Sequence, residues 1–182
     1  FKEALSAIFA FRGEVYNGLN IDSFTEDQLS YCQNHLRILS GLYGILRPLD
    51  AILAYRLEMG TKIQIGNYKN LYAYWGDHIT KTINKHMKET NQTILINLAS
   101  NEYFKSLNTK KLKSRIITPI FKEEKEGEFK VIAIFAKKAR GLMSRYILQN
   151  KIEDPQLLKN FEEEGYYYND NLSTADEFVF TR

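Results

Sequence analysis

Thr93-Ile94-Leu95-Ile96-Asn97-Leu98 is the stretch whose reading decides the fold class. It is a short, apolar, β-branched run, and such runs form strands. Immediately upstream, Tyr72, Trp75, Ile79, Ile83 and Met87 recur at helical spacing, and the stripe ends in the polar residues Glu89-Thr90-Asn91-Gln92. Helix therefore gives way to strand within a few residues. Downstream, Arg115 to Phe121 and Phe129 to Phe135 are further strand candidates, joined by charged residues ending in Gly127, and they read as a hairpin. Val131, Ala133 and Phe135 alternate with Ile132 and Ile134, so both faces of the last run are apolar. That strand is expected within a sheet covered on both sides. Phe178 to Phe180 adds a candidate edge strand.

Toward the N-terminus, residues 1–11 carry Ala4, Leu5, Ile8 and Phe9 at helical spacing, and Gly13 and Gly18 punctuate the aromatic stretch around Tyr16. Ser23-Phe24-Thr25-Glu26 fits a capping box that opens a helix bearing Leu29, Cys32, Leu36 and Leu39 on one face. Cys32 lies on that apolar stripe, where an ordinary core thiol is expected rather than a redox sensor, which needs exposure and a lowered pKa. No repeat and no linker divides the chain. The expected architecture is one α+β or mixed α/β domain over residues 1–182, a central mixed sheet with surrounding helices.

A chain of 182 residues, 44% of them hydrophobic, buries roughly 70% of its unfolded surface, which excludes intrinsic disorder. Three prolines and ten glycines exclude collagen-like and low-complexity classes. The single cysteine excludes an intramolecular disulfide and points to a reducing compartment, so a cytoplasmic protein is expected. No apolar run approaches the ~20 residues that span a bilayer, and Phe1-Lys2-Glu3 lacks a signal-peptide layout. The chain starts without methionine in what reads as a helix, and an N-terminal truncation is expected.

Formal net charge is only +3, but it is unevenly placed. Residues 1–102 hold ten cations and ten anions, residues 103–150 twelve cations against four anions, and residues 151–182 three against eight. The middle block is densest at Lys105, Lys110, Lys111, Lys113 and Arg115, and again at Lys137, Lys138, Arg140 and Arg145. Such a block is either a solvated face or an anion-binding one.

Several constellations carry candidate chemistry. Leu36 to Pro48 passes from one helical pattern toward another through Gly41 and Gly44, and resembles a helix-hairpin-helix whose turn offers backbone N–H groups to a phosphate. A plain helix C-cap at Gly41 explains the same glycine. On a helix through Ala136 to Ile147, steps of 100° place Leu142, Met143, Tyr146 and Ile147 on one arc and Lys137, Lys138, Arg140 and Arg145 opposite. Gly141 and Ser144 fall within the cationic arc. A mid-helix glycine costs about 1 kcal/mol, so something anionic, or another backbone, is expected close to Gly141. Asn97, at the end of the strand at 93–98, and Ser100, Asn101 and Tyr103 after it are candidates to line a cleft, with an N-cap at Ser100 or Asn101 as the alternative. Asp77 and Glu102 are candidate acid and base. His35, His78 and His86 form no ligand cluster, so neither a metal site nor a cofactor site is expected; nor is there a P-loop, a dinucleotide fingerprint or a nucleophile elbow.

Phe11-Arg12-Gly13-Glu14-Val15-Tyr16, Leu39-Ser40-Gly41-Leu42-Tyr43-Gly44, Leu46-Arg47-Pro48-Leu49-Asp50 and Tyr55-Arg56-Leu57-Glu58-Met59-Gly60 resemble the YaaA family of bacterial peroxide stress proteins. So do Tyr74-Trp75-Gly76-Asp77, Ile96-Asn97-Leu98-Ala99-Ser100, Glu102-Tyr103-Phe104-Lys105 and Lys137 through Arg145, and the match runs nearly end to end. The resemblance implies a cytosolic protein that helps cells survive hydrogen peroxide, in part by limiting free iron and so oxidative damage to DNA and protein. It implies a mixed α/β fold with a basic cleft, a helix-hairpin-helix element and DNA binding. Family members begin upstream, with a strand and a lysine-bearing loop near the cleft.

Carried onto this chain, the resemblance places the hairpin at Gly41, Leu42, Tyr43 and Gly44 and the cleft cations at Lys137, Lys138, Arg140 and Arg145. Arg47, Lys105, Gly141 and Ser144 complete the expected phosphate contacts. The expected partner is DNA, bound without sequence preference, with Tyr43 or Tyr103 stacking on unpaired bases, and no membrane. The alternative is an enzyme acting on a nucleotide, nucleobase or nucleic acid, with Asn97, Ser100 and Lys105 orienting the substrate.

Overall fold

The computed structural model describes residues 3–182, and its chain mixes helices and strands. In order they are β1 (Leu5–Ser6), α1 (Ala7–Ala10), α2 (Glu14–Leu19), α3 (Glu26–His35), β2 (Ile38–Ser40), β3 (Gly44–Leu46) and β4 (Ala51–Ile52). Then follow α4 (Leu71–Trp75), α5 (His78–Glu89), β5 (Ile94–Ile96), α6 (Asn101–Phe104), β6 (Arg115–Lys125), β7 (Glu128–Lys130), α7 (Ala133–Gln149), β8 (Tyr167–Tyr168) and β9 (Glu177–Thr181). These elements gather into two compact units. Of the described residues, the first comprises 3–7, 36–95 and 99–116, and the second 8–35, 96–98 and 117–182.

The first unit is built on two small antiparallel pairs, β1 with β4 and β2 with β3, and on helices α4 and α5. Its core is Met59, Leu71, Ile79, Ile83 and Leu107, flanked by Trp75, Tyr103 and Phe104. Burying side chains of this kind stabilises by roughly 1.5–3 kcal/mol each. The predicted helical stripe from Tyr72 to Met87 is real but broken. Gly76 sits at φ 48° between α4 and α5, so the stripe is carried by two helices.

In the second unit the sheet is mixed. β6 and β9 run parallel, with Ile120 opposite Val179, while β8 pairs antiparallel with β9 and β7 with β6. β9 is therefore flanked on both sides and is not the edge strand its position suggested. Phe121, Phe161, Tyr166 and Phe180 interlock around it with ring centroids 5.2–5.9 Å apart. The Tyr166 hydroxyl donates to Glu123, which also holds Arg182 at 2.7 Å.

Three expectations are corrected here. The hairpin after Gly127 exists, but β7 ends at Lys130 and lies exposed, and Ala133 onward is helix. The apolar run 131–135 leaves Val131, Ile134 and Phe135 exposed rather than sandwiched. Alternation there was a chance overlay on the first turn of α7. Second, the capping box begins two residues later than read: Thr25 Oγ1 accepts from Gln28 N–H at 3.3 Å while Gln28 Oε1 accepts from Thr25 N–H at 3.0 Å. The helix it opens stops at His35, so Leu39 belongs to β2. Third, the N-terminal stretch read as one helix holds strand β1 followed by the short helix α1. Phe1 and Lys2, part of that reading, lie outside the described residues.

Helix α7 is locked to α2 by backbone contact. A Cβ added to Gly141 would lie 1.9 Å from the Val15 carbonyl oxygen and 2.8 Å from Leu19 N, and one added to Gly18 would lie 2.2 Å from the Lys138 carbonyl oxygen. On an isolated helix, Gly→Ala gains about 1 kcal/mol. Here that gain is outweighed by an overlap with main chain that no rotamer relieves, a cost of about 1–3 kcal/mol or more. Gly141→Ala is expected to lower the urea unfolding midpoint at unchanged slope; a raised midpoint would mean the two helices part readily.

Candidate functional site

The residues proposed to bind phosphate fall in both units, and each cluster is built by its own elements. In the second unit, α7 carries Lys137, Lys138, Arg140 and Arg145. Their surroundings differ. Lys138 Nζ lies 2.5 Å from Glu164 Oε1, and Arg145 is ion-paired with Glu163. These acids come from the acidic segment 151–182, so the charge asymmetry of the sequence resolves partly into pairing within the unit. Lys137 is exposed and makes no ion pair among the described residues.

Arg140 is the exception in kind. Its guanidinium is half-buried, donates through Nη1 to the Leu98 carbonyl at 3.4 Å, and donates through Nε to the Ala136 carbonyl at 3.3 Å. Burial lowers its pKa, and no carboxylate is among the causes that shift it. A guanidinium carries five N–H donors, and these carbonyls occupy two of them. Leu98 closes the segment after β5, next to Asn97, which is buried and donates to Thr118 Oγ1 at 3.4 Å. Gly141 and Ser144 sit in α7 between these cations, yet both are buried. The backbone that approaches Gly141 is that of α2, and Ser144 Oγ donates to the Arg140 carbonyl at 2.9 Å.

In the first unit, the segment read as helix-hairpin-helix is a β-hairpin: β2 and β3 pair, with Ser40 opposite Gly44. Gly44 is at φ +73°, and a Cβ there would lie 2.7 Å from the Trp75 ring, so this turn admits only glycine. The Tyr43 N–H is taken by Ser40 Oγ at 2.9 Å, and the Gly41 carbonyl accepts from Trp75 Nε1 at 3.0 Å. No helix N-terminus faces out at Gly41 to Gly44. The three-residue strand at Ile38 to Ser40 was hidden by its continuity with the apolar spacing of α3. Arg47 is closed onto Asp50, with Nη2 at 3.0 Å from Oδ1. Leu42 and Lys105 are exposed.

The two candidate catalytic carboxylates are both engaged. Asp77 accepts from Asn108 at 3.0 Å and pairs with Lys111 at 2.5 Å, and these partners hold its pKa below the usual aspartate range. Glu102 Oε1 accepts from the Gly60 N–H at 2.8 Å. Ser100 caps α6 by accepting from the Tyr103 N–H at 3.5 Å, so the N-cap alternative describes it, and Asn101 is the exposed first residue of that helix. Tyr103 is half-buried against the core; its phenol is pushed up to about 12, chiefly by burial and then by Tyr55, Glu102 and Glu58. Tyr43 receives the Leu53 N–H on its hydroxyl at 3.2 Å. The Tyr43 ring meets Tyr55 edge to face at 5.4 Å. Among the described residues, no three His, Cys, Asp or Glu side chains gather into a metal-holding group.

Sequence reasoning missed Glu163 and Glu164 as partners of the basic helix. The signal was the acidic excess downstream, which a count of one helix could not place. Cys32 is buried, and its thiol is pushed up to about 12 by burial.

Two outcomes follow from these environments. Asp77 has a folded-state pKa below its unfolded value of about 3.9, so the stability it contributes is complete above that value and is lost as pH falls through the lower, folded value. Asp77→Asn is therefore expected to lower Tm at neutral pH, and the difference from wild type should shrink below about pH 4; a gap independent of pH would refute the pairing. Cys32 is expected to react with a thiol reagent only after unfolding, and rapid labelling of the native chain would contradict its burial.

A family model described as "Peroxide stress protein YaaA" matches residues 1–172. A UPF0246 protein of Neisseria gonorrhoeae (strain NCCP11945) is 52% identical over 181 residues, covering 100% of this chain and 70% of the relative. One from Hahella chejuensis is 52% identical over 179 residues, 98% of this chain and 70% of the relative. One from Shewanella loihica is 54% identical over 179 residues, 98% of this chain and 69% of the relative. No helix among the described residues is long and apolar enough to cross a membrane. With its family model spanning nearly the whole sequence and relatives above half identity, the chain belongs to the YaaA family of peroxide stress proteins.

Proposed function

We propose that this chain is a peroxide stress-response protein that binds DNA without sequence preference, taking phosphates on the α7 cations Lys137 and Arg140. The observation that carries this reading is Arg140, a half-buried guanidinium supported by the Leu98 and Ala136 carbonyls with no carboxylate set against it. Desolvating a charge is costly unless it is paired, and a phosphate oxygen would supply that pairing. Lys137, one helical turn before it and exposed, adds a second cation on the same side. Lys138 and Arg145 would contribute only by exchanging Glu164 and Glu163 for phosphate. Lys105 is a further contact in the first unit. The role is protective and belongs in the bacterial cytoplasm: bound DNA is shielded from oxidation. Limitation of free iron enters on the family likeness alone, with no residue of this chain assigned to it.

Contacts of this kind release counterions. Binding to duplex DNA is expected to weaken steeply with salt, and Lys137→Ala with Arg140→Ala should flatten the log–log slope by about 2 as two phosphate contacts are lost. Fluorescence anisotropy across a salt series measures this. A native-like double variant with unchanged affinity and slope would overturn the assignment.

A further inference from the structure

The first unit carries exposed aromatic rings that its core does not absorb, linked to that core through Trp75. Tyr68 and Tyr74 meet edge to face at 5.6 Å, Tyr74 meets Trp75 at 5.1 Å, and Trp75 lies 6.1 Å from His78. Tyr68 and Tyr74 are 49% and 45% exposed, and His78 is exposed as well. Trp75 is half-buried and immobilised, with Nε1 on the Gly41 carbonyl and its six-membered ring against Gly44. The exposed rings are thus braced by a fixed indole, and rings already ordered lose little freedom when a flat ligand covers them.

The charges around these rings indicate what that ligand is. Residues 58–89 hold five lysines against Glu58, Asp77 and Glu89; Asp77 is already paired with Lys111 and Glu89 with Lys85, which leaves Lys69 and Lys81 beside the rings in sequence. Lys69 directly follows Tyr68, and Lys81 lies one turn beyond His78, near enough to act on Asp77. The equal count of cations and anions over residues 1–102 conceals this local excess. Exposed aromatic rings with lysines beside them in sequence match a polyanion that presents flat, unpaired rings, which is a single strand of nucleic acid. A duplex hides its base faces and would gain only the lysines.

We propose that Tyr68, Tyr74 and His78, braced by Trp75, form a stacking surface for the unpaired bases of single-stranded nucleic acid, with Lys69 and Lys81 serving its phosphates. This rests on reading the chain as a nucleic-acid-binding protein, and adds to it a preferred strand state and a second contact surface.

Trp75 is the only tryptophan in the chain, so its emission reports on this surface directly. The whole chain is titrated with a short single-stranded oligothymidylate and with a duplex of equal length, and affinity is followed in parallel by anisotropy. Saturable quenching by the single strand and not by the duplex is expected. Tyr74→Ala should weaken single-strand affinity roughly tenfold, Tyr74→Phe should retain it, and neither should change duplex affinity. Single-strand binding that leaves Trp75 emission and the Tyr74→Ala affinity unchanged would overturn the stacking surface, as would absence of single-strand binding. Loss of duplex binding in Lys137→Ala with Arg140→Ala bears only on α7. Duplex affinity untouched there, beside intact quenching by the single strand, would remove the α7 reading and leave this one standing.

Discussion

The backbone contact between Gly18 of α2 and Gly141 of α7 is the constraint on which the second unit depends. Each glycine lacks the atom that would hold the helices apart, so the main chains approach to a distance that alanine forbids. α7 is thereby buried along much of its circumference, with Ala139, Gly141, Leu142, Met143, Ser144 and Leu148 all inside. Its cations are left a narrow band, and their different fates follow from where that band runs. Helix propensity is sacrificed at one position, and the position of a 17-residue helix is gained.

Around that band, pairing and desolvation sort four similar side chains into three kinds, with Lys137 left exposed. Lys138 and Arg145 meet acids from the segment after α7 and are largely neutralised. Arg140 is drawn inward onto two carbonyls instead, which satisfy donors without cancelling charge. A partly exposed ion pair stabilises little, whereas a desolvated cation with unused donors is a standing preference for an anion. The basic block counted along the sequence is therefore an overstatement of the free charge and an understatement of its focus.

The first unit uses polar groups differently. Asp77 ties α5 to the loop at Asn108 and Lys111, and Glu102 ties α6 to the turn at Gly60. Trp75 pins α4 to the β2–β3 hairpin through the Gly41 carbonyl. The two carboxylates offered as candidate acid and base each hold a loop. The rings left outside this scaffold are the ones sequence periodicity never singled out, because Tyr68 precedes the helix and Tyr74 lies off the apolar stripe.

How much was legible depends on the range of the deciding interaction. The strand at Thr93 to Leu98, the stripe through Ile79 and Ile83, the helix over Lys137 to Arg145 and the burial of Cys32 are local patterns of period and polarity, and the sequence by itself determined them together with family membership. Residues 131–135 were misread because an alternating apolar run satisfies strand and helix alike until packing chooses. Leu36 to Pro48 was misread because two glycines permit several turns, and the pairing of Ile38 with Leu46 selects one. The neighbour of Gly141, the partner acids of Lys138 and Arg145, and the isolation of Arg140 are contacts between residues far apart in the chain. Only the tertiary structure decided them, because charge and burial are properties of a place in space, and spacing along the chain reaches no further than a helical turn or a strand pair.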